Sequence, residues 1–426
     1  MEIENRKQIS DLLDGFRAGT VSRRDLMVKG TALGIGAYFL GRMTVDQAFA
    51  QDATPEAIAP GSSLVMPDWV DQSMAGAKLN VIMGDEGTSA PWEKAVIAAF
   101  SEASGIEVNR IPGETSATDR LSKYLLSLNA QSTDVDVMQI DVIWPGIMAV
   151  HAADLTDTFA DTIGDYFPAI VENNTVDGKL VGIPWFTDAG LLYKRDDLLE
   201  KYSLTAPTTW AELETAAKTI QDGERAEKPD FWGYVWQGNA YEGLTCNALE
   251  WQVSNGGGNI IETDGTVSVN NEQAAAAFTM AAGWVKNISP EGVTTFQEEE
   301  ARNIWQGGNA AFMRNWPYAY VLGNTGDSVI KDTFSVGNLP MGDGEGARNA
   351  ACLGGWQMMV STYSASQDAA KMFCKFMADP NTQKSRAIEL SNLPTIASVY
   401  DDADVLAVNP FYADLKPVFQ GGAVPR

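Results

Sequence analysis

Trp185, Phe186 and Asp188 put two aromatic rings and a carboxylate into one short stretch, IPWFTDAG. Such a set can hold a polar, ring-shaped molecule. The rings stack on its apolar face and the carboxylate accepts hydrogen bonds from its hydroxyls. A buried hairpin closed by a turn aspartate uses the same residue types, so these residues alone leave both readings open. Leu353-Gly354-Gly355-Trp356 sets a further ring beside two glycines, where backbone can approach a ligand closely. Carboxylates near stacking rings also suit glycoside hydrolysis, so an enzyme stays in view as a rival.

Other chemistry has little to build on. His151 is the single histidine, and it reads as a structural residue on a helix in MAVHAADLTD. The three cysteines, Cys246, Cys352 and Cys374, are far apart and form no CxxC; they read as buried thiols that allow at most one disulfide. No HExxH or His/Cys cluster exists, so neither a metal nor a cofactor is expected. The glycine-rich SNGGGN (Ser254–Asn259) lacks the Lys-Ser/Thr of a phosphate cradle. A formal charge of −26 argues against nucleic acid and anionic membrane as partners.

The elements that must position these residues follow from pattern. At 426 residues the chain is too long for one core, so two lobes are expected. Lys78–Met83, Ile106–Ile111 and Val135–Ile140 read as strands, separated by helices over Pro91–Ser104 and Thr118–Asn129. This order predicts a parallel sheet with helices on both faces, whose ligands sit at the carboxyl ends of the strands. Glu86 and Asp141 follow the first and third strands and fall on that edge. Asp177–Tyr202 reads first as a hairpin, with strands before and after Trp185–Asp188, running into a helix start. Trp144, Trp185 and Trp305 read as core. Ahead of all this lies a leader. Arg23-Arg24, a short glycine-rich apolar run (Gly30–Gly41) and Ala48-Phe49-Ala50 look like a twin-arginine export signal cleaved near Ala50. Residues 51–76 read as a linker.

Several longer stretches carry a family resemblance: TDVDVMQIDVIWPG (Thr133–Gly146), DGKLVGIPWFTDAGLLYKRDDLLEKY (Asp177–Tyr202), FWGYVWQGNAYEGLTCNALEW (Phe231–Trp251), GNAAFMRNWPYAY (Gly308–Tyr320), LGGWQMMVSTYS (Leu353–Ser364) and VYDDADVLAVNPF (Val399–Phe411). With these the chain resembles the extracellular solute-binding proteins of sugar ABC importers, and within them the trehalose/maltose-binding group. The resemblance implies an α/β, periplasmic-binding-protein-like fold of two α/β lobes, joined by crossover strands around a ligand cleft. It places lobe one at 77–186 and 310–352 and lobe two at 187–309 and 353–426. It implies a monomer without cofactor that binds an α-linked disaccharide and delivers it to a membrane permease. A polyol, another osmolyte or a glycerophosphodiester is the alternative ligand, and a secreted glycosidase the more distant one.

Carried over by position, the implied ligand residues are Glu86, Arg120, Asp141, Phe186, Asp188, Glu242, Trp316, Tyr318, Gly355 and Trp356. Asp177–Tyr202 then becomes a crossover rather than a hairpin. Three departures stand out. The family often has tyrosine where Phe186 stands, which removes a hydroxyl. Some members place an arginine after the Pro-Thr pair near the end, where this chain has Pro394-Thr395-Ile396. The family also continues with a helical tail beyond the segment that ends here at Val424-Pro425-Arg426, so the expectation is a tail cut short.

Overall fold

Alternation builds the first strand. Leu79, Val81 and Met83 are buried along β1 (Lys78–Met83), with exposed or half-buried residues between them. Helical spacing builds the next element: Trp92, Val96, Ile97 and Phe100 form the buried stripe of α1 (Ser89–Ser104). β2 (Glu107–Pro112) and α2 (Ala117–Asn129) follow, the latter capped by Ser116, whose side chain accepts from the Asp119 amide. β3 (Val137–Asp141) is buried along its whole length, as a strand covered on both faces must be.

The computed structural model describes residues 59–84, 89–262, 264–326, 328–413, 415–416 and 423–424. The leader, residues 51–58 of the linker and Glu86 lie outside them. The described residues belong to one compact unit, Ile58–Arg426. No described helix is long and apolar enough to cross a membrane.

Two sheets organise the chain. In the first, β1 pairs in parallel with β2 and β3, and β3 pairs antiparallel with β11 (Ala351–Val360). The other edge of β11 takes β6 (Ile183–Ala189) and the two-residue β12 (Ala423–Val424). The second sheet runs β10-β7-β9-β8, from Phe334–Gly337, Leu191–Arg195, Ala310–Asn315 and Trp232–Val235. A separate small hairpin, β4 (Thr175–Val176) and β5 (Lys179–Leu180), turns at Asp177-Gly178.

β6 and β7 therefore do not pair with each other as a hairpin. They are one extended stretch that leaves the first sheet at Ala189, passes Gly190 and enters the second at Leu191. Their burial, complete along β6 and broken in β7 only at Lys194, explains why the stretch reads as a continuous apolar run. One apolar cluster follows the chain through this crossover, from Leu79, Phe100 and Trp185 to Tyr193, Met313 and Trp305. A second cluster fills the other lobe, where Trp284 packs against Trp210, Tyr234 and Trp251. It is framed by α3 (Trp210–Glu224), which Thr209 and Glu212 start with a capping box, and by α4 (Glu242–Ser254) and α5 (Glu272–Trp284).

Three details differ from expectation. β9 at 310–315 belongs to the second sheet, and β11 to the first, so the strands after residue 309 are shared between the lobes in the opposite sense. The return crossover is the stretch between β10 and β11. The strand expected at Gln357–Ser361 starts earlier, at Ala351, so the Gly354-Gly355-Trp356 segment lies inside β11. His151 sits in a turn after the short helix Pro145–Met148, with Nδ1 at 2.9 Å from the Tyr363 hydroxyl. Trp144, Trp185 and Trp305 are buried as core residues.

Candidate functional site

The parallel strands of the first sheet end at Met83, Pro112 and Asp141, and this edge faces the crossover. There Trp356 of β11 pairs with Asp141 on one side and with Phe186 of β6 on the other. Two residues earlier, Gly354 pairs with Asp188. A Cβ on Gly354 would lie 2.9 Å from Asp188 Cβ and 3.0 Å from Cζ3 of Trp316. The Trp316 ring, arriving from the end of β9 in the second sheet, thus lies against β11 beside Asp188. Gly355 has a φ of +127°, and a Cβ there would come within 2.6 Å of the Phe186 carbonyl oxygen. Glycine alone permits strands β6 and β11 to approach this closely.

Asp141, Phe186, Asp188, Trp316, Gly355 and Trp356 are therefore gathered at the junction of the two sheets. Glu242 borders the group: it opens α4, and the Cys246 thiol one turn later donates to its Oε1 at 2.9 Å. Trp316 packs on the apolar cluster that contains Cys246. Tyr318 stands two residues beyond Trp316 and donates from its hydroxyl to Glu299 Oε1 at 2.7 Å. Arg120 is buried on α2, where its Nε donates to the Glu114 carbonyl at 2.7 Å. Glu86 is outside the described residues, but Gly84 just before it is held from both sides. The Gly84 amide donates to Gln139 Oε1, and its carbonyl accepts from Arg110 Nη2 at 2.7 Å.

Each of the three central rings has a guanidinium over it. Arg120 lies 4.5 Å from the centre of the Trp356 ring, Arg386 lies 4.2 Å from Phe186, and Arg314 lies 3.8 Å from Trp316. Such stacking is worth roughly 0.5–2 kcal/mol per pair and fixes the tilt of the ring. Arg386, on α8 (Pro380–Leu390), also stacks on Trp185 at 3.8 Å and reaches Glu93. Arg314 is buried with Glu250 as a two-pronged pair, Nε to Oε2 at 2.9 Å and Nη2 to Oε1 at 2.5 Å. Burial pulls this guanidinium down, but Glu250 outweighs it and holds the group above its usual value.

Carboxylates secure the rings from the second lobe. Glu298 and Glu299 open α6 (Glu298–Gln306). Glu298 Oε1 accepts from Trp316 Nε1 at 3.2 Å. Burial raises the Glu298 carboxyl above its ordinary value, and the hydrogen bonding around it and the Arg314 charge offset only part of the rise. Burial pushes the Tyr318 phenol well up, with the Glu299 charge adding to it. The Asp188 charge also acts on three buried phenols. Tyr193, Tyr400 and Tyr412 are all raised well above the usual range, by burial and then by neighbouring charges that include Asp188.

Arg314, Glu250, Arg386, Glu298 and Glu299 escaped the sequence reading. A charged residue inside a buried run was the available signal for Arg314, which interrupts AAFMRNW. The others lie on helices whose charged residues look solvated until their partners are known. The assembled site offers flat apolar faces, carboxyl acceptors and fixed donors. Among the described residues no group of three or more His, Cys, Asp or Glu side chains could hold a metal ion.

The sequence profile described as "Bacterial extracellular solute-binding protein" matches residues 84–384. A probable ABC transporter-binding protein of Deinococcus radiodurans is 48% identical over 316 residues, covering 74% of each chain. The maltose-bound structure of T. maritima MalE3 superposes with a TM-score of 0.78 at 41% identity, over 82% of this chain and 89% of that one. The GacH receptor of Streptomyces glaucescens, solved unliganded and with acarbose, gives a TM-score of 0.71 at 25% identity, over 82% and 87% of the two chains.

Proposed function

Given that this chain belongs to the bacterial extracellular solute-binding protein family, and so is exported and serves an ABC importer rather than catalysing a reaction, we propose that its solute is an α-linked disaccharide of the maltose or trehalose kind. The observation that carries the reading is the row Asp141–Trp356–Phe186, completed by Asp188 and Trp316 across Gly354. A pyranose has an apolar face and a belt of hydroxyls. Trp356, Phe186 and Trp316 supply stacking area that loses little entropy on binding, worth ~0.5–1.5 kcal/mol per ring beyond area burial. Asp141 and Asp188 accept hydroxyl hydrogen bonds, each worth ~1.5–3 kcal/mol because the acceptor is charged. The likeness at 41% identity to a protein solved with maltose supports the same class.

Glu242, Tyr318 and Arg120 complete the proposed contacts, with Glu86 on the loop that Gly84 opens. The crossover at Gly190 and the return before β11 act as the hinge. Closure about it buries the sugar and gives a monomeric carrier the shape that its permease accepts. The leader at residues 1–50 directs export by the twin-arginine route.

Calorimetric titration of the folded chain with maltose, trehalose, ribitol, mannitol and a glycerophosphodiester tests the reading. Saturable binding of an α-linked disaccharide is the expected result. Binding of a polyol or phosphodiester alone transfers the site to that class, and heat from none of them removes the proposal.

A further inference from the structure

The cysteines supply an observation that sugar binding does not use. Cys246 lies on α4 and Cys352 is the second residue of β11, the strand by which the chain returns to the first sheet. The two residues share a small apolar cluster with Leu249, Val253 and Ala350. Glu250 stands one turn after Cys246 on α4, and its Oε1 accepts from the Cys352 amide at 3.2 Å. The start of β11 is thereby pinned over the helix face that carries Cys246. Burial, followed by hydrogen bonding to the Cys352 thiol beside it, pushes the Cys246 thiol well above its usual value. Cys374 is buried elsewhere, in the core of α7 (Gln367–Met377) with Phe373 and Met377.

We propose that Cys246 and Cys352 are a disulfide-forming pair that ties α4 of the second lobe to the crossover strand β11. The family is exported, and compartments outside the cytoplasm favour disulfides. The oxidant is a disulfide-bearing molecule or protein of that compartment. One cysteine thiolate attacks the oxidant's disulfide, releasing one thiol and leaving a mixed disulfide. The second cysteine then attacks the mixed disulfide and releases the other thiol. Two protons and two electrons leave the protein, one Sγ–Sγ bond forms, and one oxidant disulfide becomes two thiols. Because both cysteines are buried, attack waits on local opening where β11 begins.

Oxidation has a consequence at the ligand site, and this part rests on the sugar-binding reading. In the dithiol form Cys246 donates to Glu242 Oε1. The disulfide has no thiol hydrogen, so Glu242 loses this donor. At the same time the bond restrains one of the two chain crossings.

The test uses the full chain and oxidised glutathione, in two arms. In one, the folded protein is incubated with the oxidant. In the other, the chain is refolded from denaturant in a glutathione redox buffer, which removes access as a limit. Both samples are then denatured with an alkylating agent and mapped as peptides. The expected result in the refolding arm is loss of two of the three alkylatable thiols, a linked Cys246–Cys352 peptide, Cys374 alkylated, and recovery of all three thiols with dithiothreitol. Three alkylated cysteines in a refolded chain, or a linkage through Cys374, overturns the proposal. The folded arm reports whether opening at β11 is fast enough for exchange after folding. Sugar titration of the oxidised and reduced forms is scored separately, so a failure of the ligand reading leaves the linkage result intact.

Discussion

Gly190 is where one methyl group should do the most damage. A Cβ there would lie 1.8 Å from Glu250 Oε1 and 2.7 Å from Arg314 Nη2, where real side-chain carbons keep at least 3.0 Å. The carboxylate has to withdraw by the difference. It has no open side to move into, because both members of the pair are 1% exposed and Oε1 also accepts from the Cys352 amide. Gly190 has no left-handed φ, so backbone strain contributes nothing and the effect is steric. Forcing a methylene into a packed core costs ~1–3 kcal/mol. Separating a buried ion pair costs ~3–5 kcal/mol, because each charge is left without its partner. Gly190→Ala should therefore lose about 3–5 kcal/mol in guanidinium unfolding followed by tryptophan fluorescence and circular dichroism. A loss below about 1 kcal/mol, the ordinary size for a point substitution, refutes the steric argument. The cycle with Glu250→Ala sharpens it. That substitution opens the space the methyl needs, so adding Gly190→Ala to it should cost under about 1 kcal/mol more.

Trp356→Ala removes the ring between Asp141 and Phe186 and should weaken disaccharide binding about tenfold or more by calorimetry, since 1.4 kcal/mol is a factor of ten; unchanged affinity would place the sugar elsewhere. Asp188→Asn keeps the shape and loses the charge. The affinity should fall by roughly ten- to a hundredfold by calorimetry, and an unchanged affinity would count against Asp188 as a ligand acceptor. Glu298 has a folded pKa raised above its unfolded value, so the folded state holds its proton longer. Its stability contribution is present below the ordinary carboxylate range and is lost as pH rises through the folded pKa. Glu298→Gln should flatten that decline in a melting-temperature series starting near pH 4 and rising to neutrality, and a series parallel to the unsubstituted protein would count against it.

Local pattern was enough for much of the fold. β1, α1, α2 and β3 lie within a residue or two of where periodicity puts them, because each buries one regular face or is buried throughout. The crossover showed up as an apolar run containing Trp185 and Phe186, but pairing decided what it was. β6 pairs with a strand some 170 residues later and β7 with strands from the other sheet, and nothing in the run itself encodes those partners. The same limit moved β9 and β11 between lobes. Strand length and composition are local, whereas sheet membership is set by register with distant chain. At the site, Asp141, Asp188 and Trp356 could be named from strand ends and neighbouring glycines. Arg314 and Glu250 could not be joined, since 64 residues separate them. Glu298 and Glu299 are two acidic residues in a helix first turn, a common arrangement that helix electrostatics alone would explain, and only the Trp316 and Tyr318 contacts give them a further role.

β11 also governs the order in which the protein can be made. Residues 137–141 of β3 and 183–189 of β6 have no neighbour on that side until residues 351–360 arrive. A ribosome adding about 5–20 residues per second leaves them waiting for roughly ten to forty seconds. The first lobe cannot fold vectorially from its N-terminus, and its exposed strand edges are open to wrong pairing during that interval. Synthesis has to pass residue 360 before the first sheet can be complete. Such a topology favours chains that acquire their structure after release, and it makes late truncations between residues 190 and 350 more harmful to the N-terminal lobe than their distance along the chain suggests.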